Sequence, residues 1–177
     1  LLLTPEIGLI PQLLDRARER FGYRVVEFHS GLSDGARVAV WRRCLEREAV
    51  VVVGTRSAIF LPMPRLGLIV LDEEHDSSYK QDSPMPCYHS RDVARLRARH
   101  SGARLVLGSA TPSLESWLSC QSPLPASRLL RLPERIGSRP LPAVRVIDMR
   151  HELADGHRRL ISRALMGRLE QLQEKGE

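Results

Sequence analysis

Apolar and polar positions along the first two thirds of the chain predict strands and helices in alternation. Leu1 to Leu3 reads as the end of a buried strand, stopped by Thr4-Pro5. From Leu9 to Phe21 the apolar residues Ile10, Leu13, Leu14, Ala17 and Phe21 recur at helical spacing, with Asp15, Arg16, Arg18, Glu19 and Arg20 outside. Gly22 is placed to end that helix. A short strand, Val25 to Phe28, leads into the loop His29 to Ser33, and Ser33 is a good N-cap for a helix running to about Glu48.

Two apolar runs, Ala49 to Val53 and Leu68 to Leu71, are rich in branched side chains and too short for helices. Both read as strands buried on both faces of a parallel sheet. A polar, proline-containing loop is expected from Ser77 to Tyr88. A helix follows from Ser90 to about His100, with Arg91, Arg95 and Arg99 together on a solvated side. Leu105 to Leu107 is a further buried strand, and Thr111 or Ser113 starts a helix reaching about Cys120. Four such alternations predict an α/β fold with a doubly wound, mostly parallel sheet.

Beyond Gln121 the pattern changes. Proline-rich stretches, Ser122 to Ala126 and Pro133 to Pro142, surround two short strand candidates, Arg128 to Leu132 and Val144 to Ile147. A last amphipathic helix is expected at about Ile161 to Gln173, with Leu165, Leu169 and Leu172 on one face. The expected organisation is a lobe over 1–121 and an extension over 122–177.

The 177 residues are 42% hydrophobic and 27% charged, which excludes an intrinsically disordered chain, and no apolar stretch is long enough to span a bilayer. Cys44, Cys87 and Cys120 lie far apart without a C-x-x-C pair, which argues against zinc in this segment and against a disulfide framework, and fits a reducing cytoplasm. The chain opens inside an apolar run without methionine and reads as a piece of something longer. A net charge of +6 favours polyanionic partners. The excess is arginine, because only Lys80 and Lys175 are lysines, and a G+C-rich genome produces the same bias.

Ionised Asp72 and Glu73 are too costly to bury, so they are expected where the strand Leu68 to Leu71 runs out. In open α/β sheets that end binds ligands. One carboxylate can hold a nucleotide's magnesium ion through water while the next orients the attacking water. Three further loops reach the same edge: Thr4-Pro5-Glu6, Gly54-Thr55-Arg56-Ser57 and Gly108-Ser109-Ala110-Thr111.

With Thr4-Pro-Glu-Ile-Gly-Leu9, His29-Ser-Gly-Leu-Ser33, Gly54-Thr-Arg-Ser-Ala58, Asp72-Glu-Glu-His-Asp-Ser-Ser-Tyr-Lys-Gln81, Tyr88-His89 and Gly108-Ser-Ala-Thr-Pro112 in this order, the chain resembles the first motor lobe of a superfamily 2 helicase of the DEAH/DExH kind. More narrowly it resembles the bacterial replication-restart helicases, the primosomal protein N′ or PriA family. The resemblance implies a RecA-like lobe of a P-loop NTPase that uses ATP and Mg²⁺. Asp72 would hold Mg²⁺ through water, and Glu73 would polarise the attacking water. Glu74 and His75 would lie next to the γ-phosphate, with His75 reaching Ser109 or Thr111 to couple hydrolysis to a second lobe. Thr4, Pro5, Glu6, Thr55, Arg56 and Ser57 would line the path of single-stranded DNA, with His29 and Ser30 at the same rim.

Tyr79, Lys80 and Tyr88 would belong to an aromatic-rich loop that stacks on bases. Met85-Pro86-Cys87 departs from that loop's usual pattern, in which an aromatic residue or proline precedes an arginine. Expected partners are single-stranded or forked DNA, single-strand-binding protein and primosome proteins, in a cytoplasmic, nucleoid-associated setting without membrane.

Neither lysine follows a Gly-x-x-x-x-Gly stretch. The resemblance implies that the P-loop lies on a strand ahead of residue 1. A zinc module and a second lobe would lie beyond the C-terminus, and a DNA-binding region further N-terminal. The isolated piece is therefore expected to bind ATP weakly and not to hydrolyse it usefully. Another superfamily 2 translocase, of branch-migration or restriction type, and a non-catalytic DNA-binding domain that kept the fold are the alternatives.

Overall fold

The computed structural model describes residues 1–122, 127–134, 137 and 142–176. They form two compact units, Leu1–Leu129 and Leu130–Glu177.

In the first unit, β1 (Leu2–Leu3), β2 (Val25–Phe28), β3 (Val51–Gly54), β4 (Leu68–Leu71) and β7 (Arg104–Leu107) make one five-stranded sheet in the order β2-β3-β1-β4-β7. Every neighbouring pair is parallel, as the doubly wound reading requires. The crossovers include α1 (Ile10–Phe21), α2 (Asp34–Leu45) and α3 (Ser90–Ser101), and α4 (Leu114–Gln121) follows β7. Ser33 caps α2 as expected, its hydroxyl accepting from the Ala36 N–H, but the helix ends at Leu45.

The register sets the two faces. Leu1, Leu3, Val26, Phe28, Val52, Ile69 and Leu71 point into the larger core with Ala94 and Ala98 of α3. On the opposite face Val25 and Val53 pack on Ile10 and Leu14 of α1. That second layer stops short. Leu68 and Val106 stay 46% and 48% exposed, so β4 and β7 are not buried on both faces as expected. The reason is that α1 packs over β2 and β3 rather than over β4 and β7.

The polar loop expected at 77–88 contains an antiparallel pair, β5 (Lys80–Gln81) with β6 (Tyr88–His89). The side-chain amide of Gln81 donates to the carbonyls of Pro84 and Pro86 and closes the intervening loop.

Gly54 ends β3 at a position where only glycine fits. A Cβ there would sit 2.4 Å from the Phe28 carbonyl oxygen and 2.6 Å from the Ala58 Cβ.

The second unit holds α5 (Met149–Ala154) and α6 (Arg163–Lys175), capped by Asp148 and Ser162. Glu152 of α5 accepts from the Arg163 backbone N–H at 3.0 Å and from its guanidinium at 3.2 Å, which ties the two helices. The strand candidates at 128–132 and 144–147 are not strands. Leu130, Leu132, Val144 and Val146 are 74–93% exposed, without the burial that a strand in a sheet would give them. Most of the proline-rich stretches lies outside the described residues.

Candidate functional site

Register brings the four polar loops to one rim. Leu3 pairs with Gly54 and Leu71, and Leu71 pairs with Leu107, so Thr4, Thr55, Asp72 and Gly108 each stand one residue past a strand end. The hydrogen-bond ladder continues into them. The N–H groups of Thr4, Asp72 and Gly108 donate to the carbonyls of Gly54, Leu3 and Leu71 at 2.9, 2.9 and 2.8 Å.

The acidic turn is pinned at alternate residues. Asp72 N–H is bonded to Leu3, and Glu74 N–H donates to the Gly108 carbonyl at 2.9 Å. Glu73, between them, has φ +49°. A left-handed backbone costs a non-glycine residue about 1–2 kcal/mol, so its flanks must enforce it. The Asp76 N–H then donates to the Glu73 carbonyl and closes the turn.

Side chains alternate across this turn. Asp72 and Glu73 are partly exposed, whereas Glu74 is 1% exposed. His75 Nδ1 lies 2.7 Å from Ser109 Oγ and 3.5 Å from Glu73 Oε2, and its Nε2 lies 3.3 Å from Thr111 Oγ1. Ser109 Oγ also accepts from the Thr111 N–H at 3.0 Å. His75 thus bridges the acidic turn to the loop after β7 through both ring nitrogens, one donating and the other accepting when the ring is neutral.

The side chain of Glu74, expected beside a γ-phosphate, turns from that corner into the interior. Its Oε1 accepts from the Ser113 N–H at 2.7 Å. Its Oε2 accepts from the hydroxyls of Ser116 and Ser113 and from Arg91, at 2.9, 3.0 and 3.2 Å. Burial by itself raises this carboxyl's pKa. The bonds from Ser113 N–H, Ser116, Arg91 and Ser113 hydroxyl outweigh it, so the net direction is down and Glu74 stays ionised. Arg91 is likewise corrected from a solvated face to the interior at 7% exposure. The sequence held the signal, since Arg91 shares the stripe of Ala94 and Ala98 at helical spacing.

Two strand-path candidates are buried. Thr4 is fully buried, and its hydroxyl has no hydrogen-bond partner among the described residues. Tyr79 is fully buried too. Its hydroxyl donates to the Asp72 carbonyl at 2.7 Å. Burial, and then the charges of Asp72, Asp76 and Glu73, push its pKa far up and keep it a donor.

The remaining candidates sit at the surface. Pro5, Thr55, Arg56 and Ser57 are partly exposed, and Glu6 and Lys80 are exposed. Arg56 donates to the carbonyls of Lys80 and Ser78 at 2.8 and 3.4 Å, and its guanidinium lies 6.0 Å from the Tyr88 ring centroid. Phe60 packs edge-on to Tyr88 at 4.9 Å. Lys80 pairs with Asp82 at 2.9 Å. His29 lies 3.4 Å from Glu27.

Asp72 suits a magnesium ion held through water. Its oxygens are hard donors, partly exposed, and accept no hydrogen bond from the described residues. Among those residues no group of three or more His, Cys, Asp or Glu side chains could hold a metal. One carboxylate with waters and phosphate oxygens is the habit of nucleotide-bound Mg²⁺. None of the described helices is long and apolar enough to cross a membrane.

Residues 1–117 match the family model described as DEAD/DEAH box helicase. The chain is 54% identical to replication restart protein PriA of a Synechocystis species, with 99% of this chain and 21% of that protein aligned. It is 48% identical to the Bacillus subtilis protein of that name, over 100% of this chain and 22% of the relative. The Treponema pallidum protein of that name is 41% identical, over 98% of this chain and 25% of the relative. The chain therefore spans about a fifth to a quarter of the length of these relatives. With a mostly parallel α/β sheet of RecA-like type and the acidic motif at its rim, the chain belongs to the DEAD/DEAH box helicase family and is similar to replication restart protein PriA over nearly all its length.

Proposed function

We propose that this chain is the segment of an ATP-dependent DNA helicase that carries the acids for ATP hydrolysis and part of the single-strand path. The protein containing it would act in replication restart, where a primosome is assembled at stalled forks. One observation carries the reading: Asp72, Glu73 and the bridge from His75 to Ser109 and Thr111 share one sheet rim.

In this reading Asp72 holds the hydrated ion. The ion, held there, would supply charge stabilisation for phosphoryl transfer. Glu73 orients the water aimed at the γ-phosphorus and polarises it. Its carboxylate lies 3.5 Å from His75, so the imidazole keeps it directed toward the rim. His75 passes the state of this corner to Ser109 and Thr111. The phosphate cradle comes from outside this chain, which has no Gly-x-x-x-x-Gly-Lys stretch.

Pro5, Glu6, Thr55, Arg56, Ser57, Lys80 and Tyr88 form the strand-path side of the rim. Arg56 and Lys80 supply positive charge, and the hydroxyls supply hydrogen bonds that position a phosphodiester without reading its sequence. Single-stranded or forked DNA is the polymer this surface suits. Single-strand-binding protein and primosome proteins are the proposed partners of the whole protein, in the bacterial cytoplasm at the nucleoid.

The test is Glu73→Gln in the full-length protein. ATP turnover should be abolished while affinity for single-stranded DNA stays at the parent value. Loss of both together would mean that Glu73 serves folding, and would overturn the assignment.

A further inference from the structure

The buried cluster beneath the acidic turn has more polar partners than a packing role needs. Four hydrogen bonds converge on Glu74, one from the N-cap backbone of α4, two from hydroxyls of its first turn and cap, and one from the guanidinium of Arg91 on α3. Arg91 Nη1 also donates to Ser113 Oγ at 2.5 Å and lies 3.7 Å from Glu115. The Glu74 and Arg91 side chains are 1% and 8% exposed. A buried ion pair is weak evidence for stability, because an apolar pair of similar volume often stabilises as well or better. Its attested use is to fix one geometry among several.

That geometry is the turn above it. Glu73 and Arg47 are the non-glycine residues with positive φ among those described, and Glu73 directly precedes the anchored residue. Were the Glu74 side chain released, only the backbone bonds of Asp72, Glu74 and Asp76 would oppose relaxation of Glu73 toward an ordinary backbone region, with its carboxylate moving off the rim. The macrodipole at the α4 N-terminus adds to the hold on the anion. We infer that Arg91, Ser113 and Ser116 are positioning residues for Glu73: they hold Glu74 as a buried anchor, and the anchor keeps Glu73 left-handed with its carboxylate beside His75. This rests on the reading of Glu73 as the acid that orients water. It ties the rate of that step to α3 and α4.

The experiment uses the full-length protein with saturating single-stranded DNA and measures kcat and KM for ATP. The double variant Glu74→Met/Arg91→Met removes both charges and keeps the volume. We expect its kcat to fall about tenfold or more while KM for ATP stays within about twofold. Arg91→Lys, which keeps a cation, should recover part of the rate lost in Arg91→Met. If the double variant does not fold, Ser116→Ala reads the same split on a smaller scale, with kcat down about threefold. Parent-like kcat in whichever of these variants is folded overturns the inference, as does a fall of kcat, KM and melting temperature in step. A parallel Glu73→Gln variant separates the two levels. If it is inactive while the cluster variants are normal, only the positioning role fails. If it hydrolyses ATP at the parent rate, the acid assignment fails and the inference with it.

Discussion

Tyr79 is tied to Asp72: its hydroxyl, on a fully buried ring, donates to the Asp72 carbonyl at 2.7 Å. The residue expected to stack on bases thus supports the backbone of the acid expected to hold magnesium. Tyr79→Phe leaves that carbonyl unpaired in the interior, a loss of about 1–3 kcal/mol. The melting transition of this domain should drop by about 2–4 °C per kcal/mol. Affinity for single-stranded DNA should not change, and a binding titration that shows a loss would restore the stacking role.

His75 and Ser109 meet at 2.7 Å. His75→Ala and Ser109→Ala should each lower DNA-stimulated ATP turnover about tenfold. The double variant should be no worse than either single one. A double-mutant cycle reads this directly, with a coupling of about 1–2 kcal/mol. Additive losses would mean that the two residues work separately.

Two glycines at the rim make opposite demands. Gly54→Ala drives a Cβ into the Phe28 carbonyl oxygen and should cost about 1–3 kcal/mol or more by overpacking. Gly108→Ala places its Cβ 3.6 Å from Asp72 Oδ1 and from the Leu71 carbonyl, an ordinary contact, and should be neutral within about 0.5 kcal/mol. Denaturant midpoints of the two variants check the contrast.

In the second unit the Glu152 carboxyl is held below its ordinary range. The Arg163 backbone N–H is the largest cause; slight dehydration opposes it, and the Arg163 guanidinium and the charges of Arg163 and His157 add to it. A carboxyl lowered in the folded state stabilises above its unfolded pKa, and the contribution is lost as pH falls through the folded value. Amide exchange at Arg163, corrected for its intrinsic rate, should therefore accelerate below about pH 4. Glu152→Gln should abolish that pH dependence.

Much of the sheet was legible because each strand is a short branched run ending in polar residues, a pattern that helices cannot share. The rim followed, since Asp72, Thr55 and Ser109 each come directly after such runs. Depth was harder to read. Residue type argues that Arg91 is solvated and Tyr79 is free, yet both are buried, because each has a polar partner that only the tertiary fold supplies. The β5–β6 pair escaped notice because no two-residue turn joins its strands. The half-open face of β4 was equally invisible, since an apolar run does not say how far the covering helix extends.

The bonds of the acidic turn reach across the sheet, from Leu3 of β1 to Gly108 beyond β7. A backbone clamp of that span ties the turn to the strands on either side of it. The His75 imidazole is held differently: its contacts are the side chains of Glu73, Ser109 and Thr111, which can be exchanged without disturbing the ladder. The turn's backbone is the part tied into the sheet, and the ring is the part held by side chains alone.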